Sequence, residues 1–212
     1  MTLLGKKTTY PNQYSPNLLD SIPRKKGRDQ LNIKNLNFKG VDVWNAYEIS
    51  WLNAKGKPDR AVGRFTVPSH TPNIIESKSL KLYLNSLNQT AFPSFEHVKE
   101  TLVSDLSHAV KETVHVDLFT LEEFEKMNIP TPSGICLDTL DISINEYSVN
   151  PMLLSCRTGT LKERLYTHLF KSNCLVTGQP DWATISIEYE GPAIDHDSLL
   201  RYLISFRDHM EF

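Results

Sequence analysis

Residues 41–52 read VDVWNAYEISWL, with an apolar side chain at almost every second position. This period of two predicts a half-buried strand whose buried face carries Val41, Val43, Tyr47, Ile49 and Trp51. Residues 53–58 (NAKGKP) supply the chemistry of a turn. The alternation returns over residues 61–67 and predicts a second strand, with one face formed by Ala61, Gly63, Phe65 and Val67. Together the two segments predict an antiparallel hairpin.

Helical periodicity follows this hairpin. Residues 79–87 are compatible with a short helix, and a longer amphipathic helix is predicted by the spacing of Phe95, Val98, Leu102, Leu106 and Ala109. Ser94 precedes it and can accept a hydrogen bond from a first-turn amide. A further strand is indicated by Val114, Val116 and Leu118. After a loop over residues 130–134, another strand is predicted to begin with Ile142 and Ile144. The predicted order is hairpin, two helices, hairpin.

The same order begins again in the last third of the chain. Residues 161–171 alternate weakly, residues 177–180 favour a turn, and the next strand has one face formed by Ala183, Ile185, Ile187 and Tyr189. Asp195 or Asp197 can cap a helix that places Leu199, Leu203, Phe206 and Met210 on one side. Because the sequence stops at Phe212, we expect this second module to be incomplete. The predicted organisation is an irregular arm over 1–40, a first module over 41–150 and half a module over 151–212.

The composition is that of a globular protein. Of 212 residues, 40% are hydrophobic and 23% charged, and 23 Lys and Arg against 25 Asp and Glu give a formal net charge of −2. This excludes a disordered chain and a basic protein that coats nucleic acid, so no direct nucleic-acid binding is expected. No apolar run approaches the roughly 18 residues of a membrane span, and no secretory signal is recognisable, so we expect a cytoplasmic protein without a membrane partner.

The three cysteines, Cys136, Cys156 and Cys174, form no C-x-x-C pair and are expected to be free thiols. The histidines are scattered, so no metal site is predicted. Cys174 ends one predicted strand and Asp181 begins the next, so a hairpin can bring them to one rim of the sheet. A thiolate beside a carboxylic acid can attack an electrophilic carbon and protonate the product. The alternative is a buried cysteine and a turn-capping aspartate.

A second segment, residues 74–85 (IIESKSLKLYLN), reads as a strand-to-helix junction. Glu76 could hold an amide or guanidine-like edge through two parallel hydrogen bonds. Lys78 and Lys81 would share a helix face and could meet phosphates, although an exposed Glu/Lys helix start explains the pattern equally. No G-x-G-x-x-G is present. The basic cluster at residues 24–28 (RKKGR) is either a solvated loop or a phosphate-contacting arm.

Three stretches resemble the NADPH-dependent 7-cyano-7-deazaguanine reductases, the nitrile reductases of queuosine biosynthesis. Residues 76–83 (ESKSLKLY) look like the family signature, residues 172–175 (SNCL) with 179–182 (QPDW) are similar to the catalytic turn of its two-module branch, and residues 47–56 (YEISWLNAKG) resemble that branch too. The resemblance implies α+β tunnelling-fold (T-fold) modules, each an antiparallel sheet with helices on one face, assembled as a homodimer.

For the site, the resemblance implies that Cys174 adds to the nitrile and forms a covalent thioimide, and that Asp181 donates the proton. Ile75, Glu76 and Ser77 match positions that contact the deazaguanine, whereas Ser77 and Lys78 match positions near NADPH. Family members continue past Phe212 with a His-Glu and an Arg-Gly pair, which this chain does not contain. The alternatives are a non-catalytic purine- or pterin-binding protein, an inactive fragment, or a structural scaffold. Binding alone needs neither Cys174 nor Asp181.

Overall fold

A computed structural model describes residues 10–30, 33–127, 132–174 and 178–210, which form two compact units, one up to residue 127 and one from residue 132. Both units combine helices with antiparallel strand pairs, so the α+β class is confirmed. Residues 132–150, assigned above to the first module, belong to the second unit.

The helices are α1 (Arg24–Gln30), α2 (Ser77–Ser86), α3 (Phe95–Val110), α4 (Leu121–Lys126) and α5 (His196–Ser205). The strands are β1 (Ser21–Pro23), β2 (Val41–Leu52), β3 (Pro58–Pro68), β4 (Asn73–Ile75), β5 (His115–Phe119), β6 (Ile135–Cys136), β7 (Cys156–Asn173) and β8 (Pro180–Ile194).

The first unit is built on the predicted hairpin. β2, β3 and β5 form an antiparallel sheet in the order β2-β3-β5. The core joins this sheet to α2 and α3, and its members are less than a tenth exposed, among them Phe65, Tyr83, Leu102, Leu106 and Val116. Ser94 accepts a hydrogen bond from the N–H of His97, so the predicted start of α3 is confirmed.

The predicted buried face of β2 is wrong over its first half. Ile49 and Trp51 are each 1% exposed, whereas Val41, Val43 and Tyr47 are 56%, 52% and 59% exposed. The reason is a register shift between Ala46 and Ile49, where two residues of β2 oppose one residue of β3. Such a bulge inserts one residue into the alternation and reverses which side chains face the core.

The prediction of a closing hairpin in the first module is also wrong. Residues 141–147 contain no strand, and β5 pairs with β3 instead. Ile142 packs against the core of the second unit, and the carbonyl group of Ser143 accepts a hydrogen bond from the side chain of Arg201. The alternation of Ile142 and Ile144 thus comes from an extended segment that is held by a side chain rather than by a neighbouring strand. Residues 130 and 131 of the predicted loop lie outside the described residues.

The second unit is dominated by the long antiparallel hairpin β7–β8, with β6 parallel to β7 on the other edge. Its core contains Leu137, Leu165, Leu199, Leu200 and Leu203, packed against half-buried Ile185, Ile187 and Tyr189. Asp195 accepts a hydrogen bond from Ser198 N, which confirms the predicted cap of α5. Met210 is 48% exposed and does not share the buried side, because α5 ends at Ser205 and a 3₁₀ turn (Phe206–Asp208) redirects the chain.

Candidate active site

Cys174 lies at the tip of the β7–β8 hairpin, directly after the last residue of β7. Its N–H donates to the carbonyl group of Gln179 at 2.8 Å, and its own carbonyl group accepts from Gly178 N at 3.0 Å. Two residues of the second strand therefore oppose Cys174, and Gly178 has a φ of +65°. This is the pattern of a G1 bulge, which needs a residue that tolerates positive φ. The backbone on both sides of the half-buried thiol is thus fixed by hydrogen bonds.

Asp181 lies on the same face of the hairpin as Cys174. Ser172 pairs with Asp181 in the antiparallel register, so the side chains of both point to one face, and Cys174 is two residues further along β7. The same face continues through Phe170 and Ala183 toward the core of the second unit. Asp181 is exposed and Cys174 is half-buried. A water-accessible carboxyl group on the same face of a hairpin as a partly shielded thiol is compatible with proton delivery near a nucleophile.

Glu76 is the N-cap of α2 and is 3% exposed. Its Oε1 accepts from Lys78 N at 3.0 Å, and its Oε2 accepts from Ser79 N at 2.7 Å. The interpretation as an exposed helix start is therefore wrong for Glu76, although the Lys81 side chain is 82% exposed. An ionised carboxylate has about four acceptor positions, so these two bonds leave capacity for further N–H donors. The buried carboxylate can both cap the helix and bind a planar ligand edge.

The N-terminal arm holds this capping residue in place. β1 pairs antiparallel with β4, with Ser21 opposite Ile75. Glu76 N donates to the carbonyl group of Asp20 at 2.9 Å. Ser79 Oγ accepts from Asp20 N at 3.0 Å and donates to the carbonyl group of Glu76 at 2.7 Å. No hydrophobic periodicity marks this arm in the sequence, and the bracing role of Ser79 is not predictable locally because it depends on a residue 59 positions away.

The other predicted binding residues lie around Glu76. Ile75 is 7% exposed, Ser77 is exposed, and Lys78 is half-buried in the first turn of α2. Lys81 is one turn on, with its ammonium group 3.8 Å from the carboxylate of Glu48. A hydroxyl group, an ammonium group and the positive end of a helix dipole form a donor set that suits an anionic, phosphate-bearing nucleotide.

The basic cluster at residues 24–28 is part of α1 rather than a loop. Arg24 Nε donates to Thr71 Oγ1 at 2.9 Å, and its guanidinium group pairs with Asp42. Arg28 donates to the carbonyl group of Ser69, and Lys25 pairs with Asp29. Arg24 and Arg28 thus fasten α1 to the rest of the first unit, whereas the pair of Lys25 and Asp29 lies within α1.

The described part of the chain contains neither a metal-binding cluster nor a membrane-spanning helix. Residues 10–30, 33–127, 132–174 and 178–210 contain no group of three or more His, Cys, Asp or Glu able to hold a metal ion. Over the same residues, no helix has the length and apolar character needed to cross a membrane.

Comparison with known proteins identifies the family. Residues 10–118 match the nitrile reductase family described as the N-terminal part of 7-cyano-7-deazaguanine reductase. The chain is 53% identical over 212 residues to the NADPH-dependent 7-cyano-7-deazaguanine reductase of Dechloromonas aromatica (strain RCB), covering 99% of this chain and 75% of that protein. The protein of the same name from Coxiella burnetii (strain Dugway 5J108-111) is 52% identical, with 99% and 76% covered.

These matches place the chain in the class of the nitrile reductases. The chain belongs to the 7-cyano-7-deazaguanine reductase family, which confirms the resemblance seen in residues 47–56, 76–83, 172–175 and 179–182. It spans about three quarters of the length of these relatives.

Proposed function

We propose that the protein is an NADPH-dependent nitrile oxidoreductase that reduces 7-cyano-7-deazaguanine to 7-aminomethyl-7-deazaguanine for tRNA queuosine biosynthesis. Relatives that are 52–53% identical to it over 99% of the chain are named NADPH-dependent 7-cyano-7-deazaguanine reductases. The structural observation that carries the proposal is the placement of Cys174 and Asp181 on one face at the tip of the β7–β8 hairpin.

The covalent step uses these two side chains. The thiolate of Cys174 adds to the nitrile carbon, and one π bond of the nitrile becomes a lone pair on nitrogen. Asp181 donates a proton to this nitrogen, which gives a neutral thioimide and an aspartate carboxylate. A nitrile is a poor hydride acceptor, whereas a thioimide is a much better one, so the addition prepares the carbon for reduction.

Two reductions complete the conversion of nitrile to primary amine, and each requires one hydride and one proton. When NADPH is bound, it supplies these hydrides. Ser77 and Lys78 are the residues that would hold its phosphates, since they present a hydroxyl and an ammonium group at the start of α2. Cys174 keeps the substrate attached up to the first hydride addition, because the sulfur–carbon bond breaks only as the imine forms.

Recognition of the deazaguanine is assigned to Ile75, Glu76 and Ser77. The free acceptor capacity of the buried Glu76 carboxylate suits the adjacent N–H groups of a guanine-like edge. Ile75 offers an apolar surface beside it. A buried charge-assisted hydrogen-bond pair discriminates strongly against analogues that lack one donor, because the unpaired carboxylate oxygen would remain without water.

The finer fold and assembly are part of the proposal. Antiparallel sheets with helices on one face suit T-fold modules, of which the second would be incomplete in this chain. A homodimer is supported by the exposed apolar side chains Val41, Val43 and Tyr47 on β2, which pairs with β3 on only one edge over residues 41–50 in the described structure. Light scattering tests this: a Val43→Asp variant is expected to be monomeric, whereas Met152→Asp, at a site 89% exposed, is expected to leave a dimer.

Intact mass spectrometry tests the proposed reaction. Mixing the protein with 7-cyano-7-deazaguanine, without NADPH, should raise its mass by that of one nitrile molecule. The adduct should be absent in Cys174→Ala and retained in Cys156→Ala, which removes an exposed thiol elsewhere. With NADPH, the adduct should give way to the amine. Binding without an adduct would favour the non-catalytic purine-binding alternative and contradict the proposed reaction.

A further inference from the structure

The strand that carries Cys174 is held at its end by a distant segment of the chain. Asn173, the last residue of β7, is opposite Pro180 in β8. The N–H of Asn173 donates to the carbonyl group of His209 at 2.8 Å rather than to β8. Its side-chain Nδ2 donates to the carbonyl group of Arg207 at 3.3 Å. Asn173 is only 8% exposed, so water competes little for these bonds.

The segment 206–209 that accepts these bonds is itself fixed to both strands and to the core. The ring of Phe206 lies 5.4 Å from that of Phe170 in β7 and 5.3 Å from that of Tyr202 in α5, measured between centroids. The guanidinium group of Arg207 lies 5.6 Å from the ring centroid of Trp182 in β8. Through the segment 206–209, these contacts hold the hairpin tip in a fixed position relative to the core.

We propose that Asn173 is a positioning residue for Cys174, acting by tying the end of β7 to the segment 206–209. This inference rests on the proposed role of Cys174 as the nucleophile. The bonds of Asn173 fix the backbone immediately before the thiol, and the Gly178–Gln179 bulge fixes it from the opposite strand. Nucleophilic addition requires alignment of the sulfur with the nitrile carbon, so a loosened strand end lowers the rate more than the affinity.

Two substitutions of Asn173 distinguish the effect of losing its amide donor from the effect of changing its side-chain shape. Asn173→Ala removes the amide, and Asn173→Asp keeps the shape but places a carboxylate oxygen against the Arg207 carbonyl group. The matched control is Lys171→Met, since Lys171 Nζ donates to the same carbonyl group at 2.8 Å but from the exposed surface, where water replaces it. We expect the order of effect to be Asn173→Asp, then Asn173→Ala, with Lys171→Met close to the parent protein.

The first measurement is the rate of carbamidomethylation of Cys174 divided by that of Cys156 in the same molecule. The second is the maximal rate of nitrile capture and its half-saturating concentration. For Asn173→Ala, we expect the thiol ratio and the maximal capture rate to fall about fivefold or more, as for the loss of one buried hydrogen bond, with little change in half-saturation. General destabilisation of the second unit would instead expose the half-buried thiol of Cys174 and raise its alkylation rate. It would therefore shift the thiol ratio in the opposite direction.

The outcomes separate the two hypotheses. Nitrile capture by the parent protein together with an unchanged or raised thiol ratio in both Asn173 variants would overturn the positioning role and leave the proposed function standing. A higher half-saturating concentration with an unchanged maximal capture rate would also overturn the positioning role. If the parent protein captures no nitrile, the proposed function fails, and the thiol ratio still decides whether Asn173 positions Cys174.

Discussion

The hydroxyl group of Tyr14 donates a hydrogen bond of 2.8 Å to Oδ2 of Asp105, 91 residues further along the chain. The same carboxylate oxygen accepts from Tyr83 at 2.6 Å, and the Tyr83 side chain is fully buried. Two phenols on one carboxylate thus join the N-terminal arm to α2 and α3. The described residues 10–30 of the arm therefore pack as part of the first unit.

This arrangement predicts a loss of stability at alkaline pH. Burial, followed by the hydrogen bond to Asp105, raises the pKa of Tyr14 from 10.0 to about 12, and the same causes raise the pKa of Tyr83. The unfolded chain ionises above pH 10 while the folded chain keeps its proton, so the stabilisation is complete below pH 10 and falls between pH 10 and about 12. Urea unfolding at pH 8 and pH 11 should show a smaller alkaline loss in Tyr14→Phe than in the parent protein.

The control for this prediction is Tyr10→Phe, because the Tyr10 side chain is 73% exposed. It should follow the parent protein at both pH values. An alkaline loss of equal size in the parent protein and Tyr14→Phe would contradict the assignment of this effect to Tyr14.

A second prediction concerns Glu76. In Glu76→Gln, an amide NH₂ group replaces one carboxylate oxygen and faces a backbone N–H of Lys78 or Ser79. We expect a loss of about 1–2 kcal/mol in the free energy of unfolding, as for a lost N-cap, measured with urea at pH 7. Glu96→Gln makes the same change in the first turn of α3, where Ser94 is the cap, and should cost much less. If the two variants were equally stable, the capping bonds of Glu76 would contribute nothing.

The same pair tests the proposed ligand contact. Calorimetry should show much weaker binding of 7-cyano-7-deazaguanine to Glu76→Gln and unchanged binding to Glu96→Gln. A Glu76→Gln protein that is less stable but binds the nitrile as the parent protein does would restrict Glu76 to a structural role.

Local patterns were sufficient for elements whose cause is local. The hairpin of β2 and β3, the start of α3 at Ser94 and the cap of α5 at Asp195 follow from alternation, helical spacing and a capping side chain. The bulge after Ala46 was not predictable, because one inserted residue reverses the buried face and no side chain marks it.

Contacts between distant segments could not be predicted from the sequence either. The burial of Glu76 depends on the pairing of β1 with β4, and the support of Asn173 depends on a segment more than 30 residues away. The catalytic and binding roles of the site residues remain predictions: residue chemistry suggested Cys174, Asp181, Glu76 and Lys78, and the resemblance added Ile75 and Ser77. The residues themselves are distributed over both units.

A third prediction uses two glycines of the second unit. A Cβ atom on Gly134 (φ +123°) would lie 2.3 Å from the backbone oxygen of Arg164, whereas one on Gly159 (φ +102°) would meet nothing within 4 Å. Gly159→Ala should therefore cost only the conformational strain of about 1–2 kcal/mol. Gly134→Ala should cost distinctly more, because it also forces β6 away from β7. Equal losses in urea unfolding would show that the contact at Arg164 relaxes without cost.

The last prediction concerns the relative reactivity of the three thiols. Exposure alone would make Cys156 react first, since Cys156 is exposed while Cys136 and Cys174 are half-buried. If Cys174 is the nucleophile, it must be available as a thiolate, and it should be alkylated faster than both others despite its lower exposure. Limiting iodoacetamide followed by peptide mapping measures the three rates in one sample. Prior incubation with 7-cyano-7-deazaguanine should protect Cys174 and leave the alkylation of Cys156 unchanged. Labelling in order of exposure, with Cys156 first and no protection by the nitrile, would contradict the assignment of Cys174.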